Sequence, residues 1–265
     1  MKPRLLLDLG NTRLKWALAL PPTAECPDWR LGDVAALAHA GPDFLPALEQ
    51  KLRVLPEVQS VHLVAVTAES NVEAVTRCVA ASVRTEQPGV LRARTQAEAA
   101  VSQGRRLRCA YPLPEHLGTD RWLSLRGALA IVSPPALVVG AGTALTVDAI
   151  DGESRHLGGL ILCGIATMHE ALLARAPHLR MPGGSPGLDA FWADDTAPAV
   201  AMAPWQAAAG LIERARRRLE LQCGKPPAVL LAGGDAADIA PLLECPARVE
   251  PFLVLHGLLQ AAVRD

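Results

Sequence analysis

The chain carries no surplus of either charge: 26 Lys and Arg stand against 27 Asp and Glu, for a formal net charge of −1. A nucleic-acid binder normally presents a basic stripe, so that class is set aside. The densest basic run, Arg214 to Arg218, is bracketed by Glu213 and Glu220 in a helical pattern and reads as a solvated helix face. Disulfide and zinc signatures are also missing. The six cysteines (Cys26, Cys78, Cys109, Cys163, Cys223 and Cys245) show neither C-x-x-C spacing nor pairing with histidine. That pattern fits a reduced, cytoplasmic chain better than a disulfide framework or a metal knuckle. No secretory leader is read at the start, because Asp8 cuts the first apolar run short. No membrane span is read either, since the apolar stretch from Leu125 to Ile150 is broken by Pro134-Pro135 and several glycines. Low-complexity segments are absent.

What the chain does have is apolar mass. Half of its 265 residues are hydrophobic, enough for one large domain or two of roughly 130 residues by the usual size range. Arg4–Leu7 reads as a strand, Asp8–Thr12 as a turn and Leu14–Leu18 as a second strand. Residues 21–32 are Pro-rich and loop-like. Helical periodicity follows at about 33–53, a strand at 60–66 and a helix at about 70–82. Residues 103–119 look like a loop joining two halves, and a helix follows at 119–131. The pattern of strand, glycine turn and strand then returns: Ala136–Val139, Gly140–Thr143, Ala144–Ile150. In this weak internal repeat Gly142 falls on Gly10 and Gly140 on Asp8, which suggests a duplicated α/β fold. Helices at about 165–175, 200–221 and 251–263 and a strand at 228–231 complete the expectation.

Three segments carry chemistry. In Asp8-Leu9-Gly10-Asn11-Thr12-Arg13-Leu14-Lys15, Gly10 permits a tight backbone approach to an anion, and Asn11 and Thr12 add short polar groups. Lys15 supplies a point charge for phosphate, and Asp8 can hold a hydrated Mg²⁺. An ordinary hairpin explains the same residues equally well. The second glycine turn, with Thr143 and Thr146, favours a pair of loops facing across a cleft and clamping one nucleotide. Ala232-Gly233-Gly234-Asp235 suits either close contact with a flat ligand such as adenine or a plain strand-to-helix turn. Gly118-Thr119-Asp120-Arg121 opens a helix. Thr119 and Asp120 there suit N-capping and the helix dipole, or Asp120 accepts a proton from a substrate hydroxyl while Arg121 holds an anion.

Taken in order, these motifs make the chain resemble the type III pantothenate kinases of the acetate and sugar kinase/Hsc70/actin superfamily. The resemblance is carried by Asp8-x-Gly10-Asn11-Thr12-x-x-Lys15, by Tyr111 ahead of Gly118-x-Asp120-Arg121, and by Gly142-Thr143-Ala144-x-Thr146-x-Asp148. Gly158-Gly159-x-Ile161, Thr196 and the closing Leu253–Leu258 also fit. It implies two similar actin/ribonuclease H-like α/β domains, at 1–117 and 118–265, with an interdomain cleft. It further implies ATP-dependent phosphorylation of pantothenate to 4'-phosphopantothenate, the first step of coenzyme A biosynthesis, in a cytoplasmic homodimer. Carried over by position, Asp8, Leu9, Gly10, Asn11, Thr12, Arg13, Leu14, Lys15 and Thr143 bind ATP with its Mg²⁺. Asp120 is the proton acceptor, and Tyr111, Gly118, Thr119, Asp120, Arg121 and Thr196 line the pantothenate pocket. Two positions depart from the family. Gly140 stands where the family has an aspartate associated with a monovalent cation, K⁺ or NH₄⁺, so no side chain can ligate that cation there. Cys163 replaces a proline and reads as a small buried packer. The alternative function is that of a relative serving as an accessory factor in transcription.

Overall fold

The structure, a computed structural model, describes residues 1–39, 41–180 and 191–265. By its internal contacts the chain forms two compact units, Met1–Ile131 together with Leu253–Asp265, and Val132–Phe252.

The first unit begins with β1 (Arg4–Leu9) and β2 (Arg13–Leu20), followed by β3 (Arg30–Leu31), β4 (Ala35–Ala38), α1 (Phe44–Arg53), β5 (Val61–Ala65) and α2 (Glu69–Ser82). It continues through β6 (Val90–Arg92), the small hairpin β7 (Glu98–Ala100) and β8 (Arg106–Arg108), and α3 (Thr119–Ile131). Its sheet runs β3-β2-β1-β5-β6, with β4 also pairing on β2. β1 is central, antiparallel to β2 and parallel to β5, so both its faces are covered and its sequence is a nearly unbroken leucine run. Leu5, Leu7 and Leu9 point into the core formed with α1 and α2, which contribute Leu48, Leu52, Val72, Val75 and Val79. By strand alternation Leu6 and Asp8 point the other way, onto the face where the C-terminal helix packs. The only polar residue in the buried stretch of β1 is thereby placed on the face opposite the α1–α2 core.

The second unit holds β9 (Ala136–Ala141), β10 (Ala144–Ile150), β11 (His156–Cys163), α4 (Ile165–Arg175), α5 (Thr196–Cys223), β12 (Ala228–Ala232), α6 (Ala236–Ile239) and β13 (Ala247–Val249). Its sheet runs β11-β10-β9-β12-β13. Here too an antiparallel strand pair leads into a parallel three-strand run. β9 therefore matches β1, and β10 matches β2, which is the repeat expected from the sequence. Within the basic run of α5, Arg216 bonds Glu213 at 2.9 Å and Glu220 at 2.7 Å.

The last helix, α7 (Leu253–Arg264), belongs to the first unit, where it lies against α3. Two glycines let the backbones touch. A Cβ on Gly127 would stand 2.2 Å from the Leu253 carbonyl oxygen, and one on Gly257 would stand 1.8 Å from that of Leu123. Arg126, almost wholly buried on α3, bonds both Asp265 carboxylate oxygens at 2.8 and 2.9 Å and the Ala100 carbonyl at 3.1 Å. These bounds differ from the 117/118 division read from the sequence by α3 and α7, whose mutual packing draws both into the first unit.

Three other expectations need correction. The helix read at 33–53 is a strand and a shorter helix. Ala35–Ala38 pairs with Arg13–Trp16 of β2, and Gly41, at φ +98°, turns the chain before α1. The loop read at 103–119 includes β8, which pairs with β7. Cys163 is exposed at the end of the edge strand β11, not a buried packer.

Candidate active site

Asp8, next to last in β1, sits across from Lys15 of β2 in the strand register. Between them Gly10 donates its N–H to the Arg13 carbonyl at 3.1 Å, closing the turn, while Asn11, Thr12 and Arg13 are exposed at its tip. A residue that the sequence did not single out fixes this loop from the side. His39, just after β4, donates from Nε2 to the Gly10 carbonyl at 2.8 Å and from its backbone N–H to the Thr12 carbonyl at 3.2 Å. No motif announces His39. It is placed by the β2–β4 pairing, itself hidden under an alanine-rich pattern.

Burial pushes the Asp8 carboxyl up to about 6; Lys15 pulls it down and the Asp120 carboxylate pushes it up again. Asp8 and Asp120 lie far apart in sequence, and the fold brings them close enough to sense each other's charge. Asp120 stands in the first turn of α3, where its Oδ1 accepts the Arg121 N–H at 2.8 Å. Gly118 is required here for space. A Cβ at that position would come within 2.7 Å of Asp120 Oδ1 and displace the carboxylate. Thr119 is the first residue of α3, and Trp122 bonds back to the Gly118 carbonyl at 3.0 Å. Arg121 is buried and donates from Nη1 to the Tyr111 hydroxyl at 3.4 Å. Thus Asp8–Lys15, Tyr111 and Gly118–Arg121 all fall within one compact unit.

A divalent ion suits this set. Asp8 and Asp120 sense each other's charge, and Mg²⁺ is commonly held by one or two carboxylates together with substrate phosphates. No group of three or more His, Cys, Asp or Glu side chains among the described residues forms a cage on its own.

In the second unit Thr143 is exposed in the β9–β10 turn, its carbonyl accepting the Gly164 N–H at 3.0 Å and the Thr167 hydroxyl at 3.2 Å. Gly140 pairs with Thr146, so the position matching Lys15 carries a neutral hydroxyl and the position matching Asp8 carries none. A Cβ on Gly140 would meet Thr146 Oγ1 at 2.7 Å, which leaves little room for a carboxylate without moving the threonine. Thr196 is exposed and opens α5, capped by Asp195, whose Oδ1 accepts the Thr196 N–H at 2.6 Å. Gly233, at φ +105°, is explained within the protein, since its Cβ would lie 2.0 Å from the Ala141 carbonyl.

Two units of matching sheet order, one with an acid-and-lysine turn and a helix-borne aspartate, make a duplicated α/β fold. The type III pantothenate kinase profile matches residues 4–218. A type III pantothenate kinase of Stenotrophomonas maltophilia strain K279a is 38% identical over 260 residues, covering 98% of this chain and 97% of that protein. One from Xanthomonas campestris pv. campestris strain B100 is 39% identical over 253 residues, covering 96% and 94%. The chain belongs to the type III pantothenate kinase family. Among solved structures, a Baf family transcriptional activator from Campylobacter jejuni superposes at a TM-score of 0.54 with 19% identity, over 96% of this chain and 94% of that one. Ethanolamine utilization protein EutJ from Carboxydothermus hydrogenoformans does so at 0.50 with 11% identity, over 100% and 90%. At such identities both show the fold alone.

Proposed function

We propose that this chain transfers the γ-phosphoryl group of ATP to the hydroxyl of pantothenate, forming ADP and 4'-phosphopantothenate, the first step of coenzyme A biosynthesis. The observation that carries this reading is that Asp8 and Asp120, the latter next to the Arg121–Tyr111 pair, sense each other's charge within one unit. The exposed turn residues Asn11, Thr12 and Arg13 and the Lys15 ammonium receive the ATP phosphates, with Gly10 closing the turn and Leu9 and Leu14 anchoring it in the sheet. Asp8 would hold Mg²⁺ together with the ATP phosphates, and the ion would supply neutralisation of the phosphate charge. Asp120 orients the pantothenate hydroxyl and takes its proton as transfer proceeds. Phosphoryl transfer has a loose transition state, so holding the nucleophile in line matters more than early deprotonation. Arg121 and Tyr111 suit the pantothenate carboxylate, the guanidinium offering a fork of donors. On the family resemblance Thr143 is assigned to ATP and Thr119 and Thr196 to pantothenate.

The transcriptional alternative has less behind it, since the named relatives are kinases and the activator likeness extends to fold only. A homodimer is supported by the edge strand β11, which exposes Leu160, Ile161 and Leu162. A cytoplasmic setting is supported by six unpaired cysteines. No helix among the described residues is long and apolar enough to cross a membrane.

The test is turnover of ATP and pantothenate by the folded protein with Mg²⁺, with and without K⁺. Product is expected in both, because Gly140 and Thr146 leave the second turn without a carboxylate. No turnover under either condition sinks the kinase assignment, and a rate that climbs steeply with K⁺ sinks the cation independence alone.

A further inference from the structure

At the opposite ends of β1 and β5 from the Asp8 turn lies a depression of about 570 Å³ formed wholly within the first unit. Its polar wall is built from Arg4, Ser60, His62, Gln87, Arg94 and Gln96. The opposite wall is apolar, made by Leu91 and the α7 residues Leu258, Ala261 and Ala262. The charges do not balance. Asp265 is the one acidic residue on the lining, and both its oxygens are taken by Arg126. Arg92, also on the lining, is neutralised by Glu69 at 2.9 and 3.0 Å. Arg4 stacks on the Trp29 ring at 4.9 Å and bonds Gln59, and no carboxylate pairs with it among the described residues. Arg94 likewise has no acidic partner among them. His62 is half-buried beside this pair, bonded to the buried Ser60 hydroxyl at 2.9 Å.

Uncompensated guanidinium groups on one wall and apolar side chains on the other match a small molecule with an anionic head and an apolar body. The size falls within the usual range of ~300–1,000 Å³ for small-molecule pockets. We propose that this depression is a second ligand site, distinct from the Asp8–Lys15 turn, that takes a small organic phosphate monoester, its phosphate held by Arg4 and Arg94 and its apolar part on α7. Burial, and after it the charge of Arg4 close by, pushes the His62 imidazole down to about 4. Burial likewise lowers the Arg4 guanidinium. Neither observation depends on the pantothenate reading.

His62 also supplies the reporter. The groups facing it are Arg4, Arg92, Arg94 and the Arg126-bound Asp265, so an anion entering the pocket must raise its pKa. Phenyl phosphate would be titrated into the full-length protein while adenylyl imidodiphosphate saturates the nucleotide site, with the His62 ring proton followed by NMR and assigned through His62→Gln. A saturable rise of about one pKa unit is expected, larger at equal concentration than with inorganic phosphate. Arg94→Ala, at an exposed position, should weaken binding by about fivefold or more, whereas Lys15→Ala should leave it unchanged. The proposal is overturned by an unmoved His62 titration at about 10 mM phenyl phosphate. It is equally overturned if Lys15→Ala removes the shift and Arg94→Ala does not, since that result places the ligand at the phosphate turn.

Discussion

Asp8 shows how a single residue trades stability for chemistry. Its carboxyl, ordinarily at 3.8, sits at about 6, so between these values the folded chain holds a proton that the unfolded chain releases. Stability from this group therefore falls as pH rises through that window, and by neutral pH the ionised carboxylate costs about 3 kcal/mol, from about two units at 1.36 kcal/mol each. Asp8→Asn should raise the melting temperature at pH 7.5, have little effect near pH 4, and abolish turnover. A variant no more stable than the parent at pH 7.5 would show that the buried charge is already compensated. Asp120 behaves differently, because it sits in a helix first turn that favours a carboxylate. Asp120→Asn keeps the shape and should lower kcat by about 10²–10⁴-fold with folding intact. Full activity in that variant, measured beside an unchanged melting curve, would move the proton acceptor elsewhere.

Among the elements, the contact of α3 with α7 is the most exacting. Gly127 and Gly257 each face a backbone carbonyl that cannot retreat like a side chain. Gly257→Ala should therefore cost about 2–3 kcal/mol, at the upper end for overpacking, and denaturant unfolding measures it directly. Because α3 carries Asp120, kcat should fall with it; a loss below about 0.5 kcal/mol would mean the helices simply slide apart. Sequence periodicity revealed both helices but not their meeting, since the two glycines lie far apart in the chain and each looks like an ordinary weak spot in a helix. β1 and β2 were legible because a leucine run flanks a turn-forming Gly10-Asn11. β4 was not, because Ala35–Ala38 favours helix locally and becomes a strand only by pairing with β2. β11 hid behind Gly158-Gly159, residues that weaken any strand pattern. Much of the candidate site could be read as motifs. The nearness of Asp8 to Asp120, the steric need for Gly118 and the His39 bond to Gly10 are products of the fold and leave no local mark.

For the molecule as a whole, the edge of β11, unpaired among the described residues, is the feature in want of a partner. A strand that presents free backbone groups alongside exposed Leu160, Ile161 and Leu162 invites pairing, and a second copy offers the same strip by two-fold symmetry. Ile161→Lys should convert a dimer to a monomer in sedimentation velocity without lowering the melting temperature of the single chain. A parent protein that sediments as a monomer at micromolar concentration would dismiss the dimer. The return of α7 to the first unit has a consequence for synthesis. Residues 1–131 leave the ribosome long before Leu253–Asp265, yet Arg126 has its carboxylate, and Gly127 its neighbouring backbone, only when that last stretch emerges. The nascent chain must carry an unclosed apolar flank of α3 throughout translation of everything between. The half of the protein begun first is thus completed last, which makes it the half most dependent on chaperones while it waits.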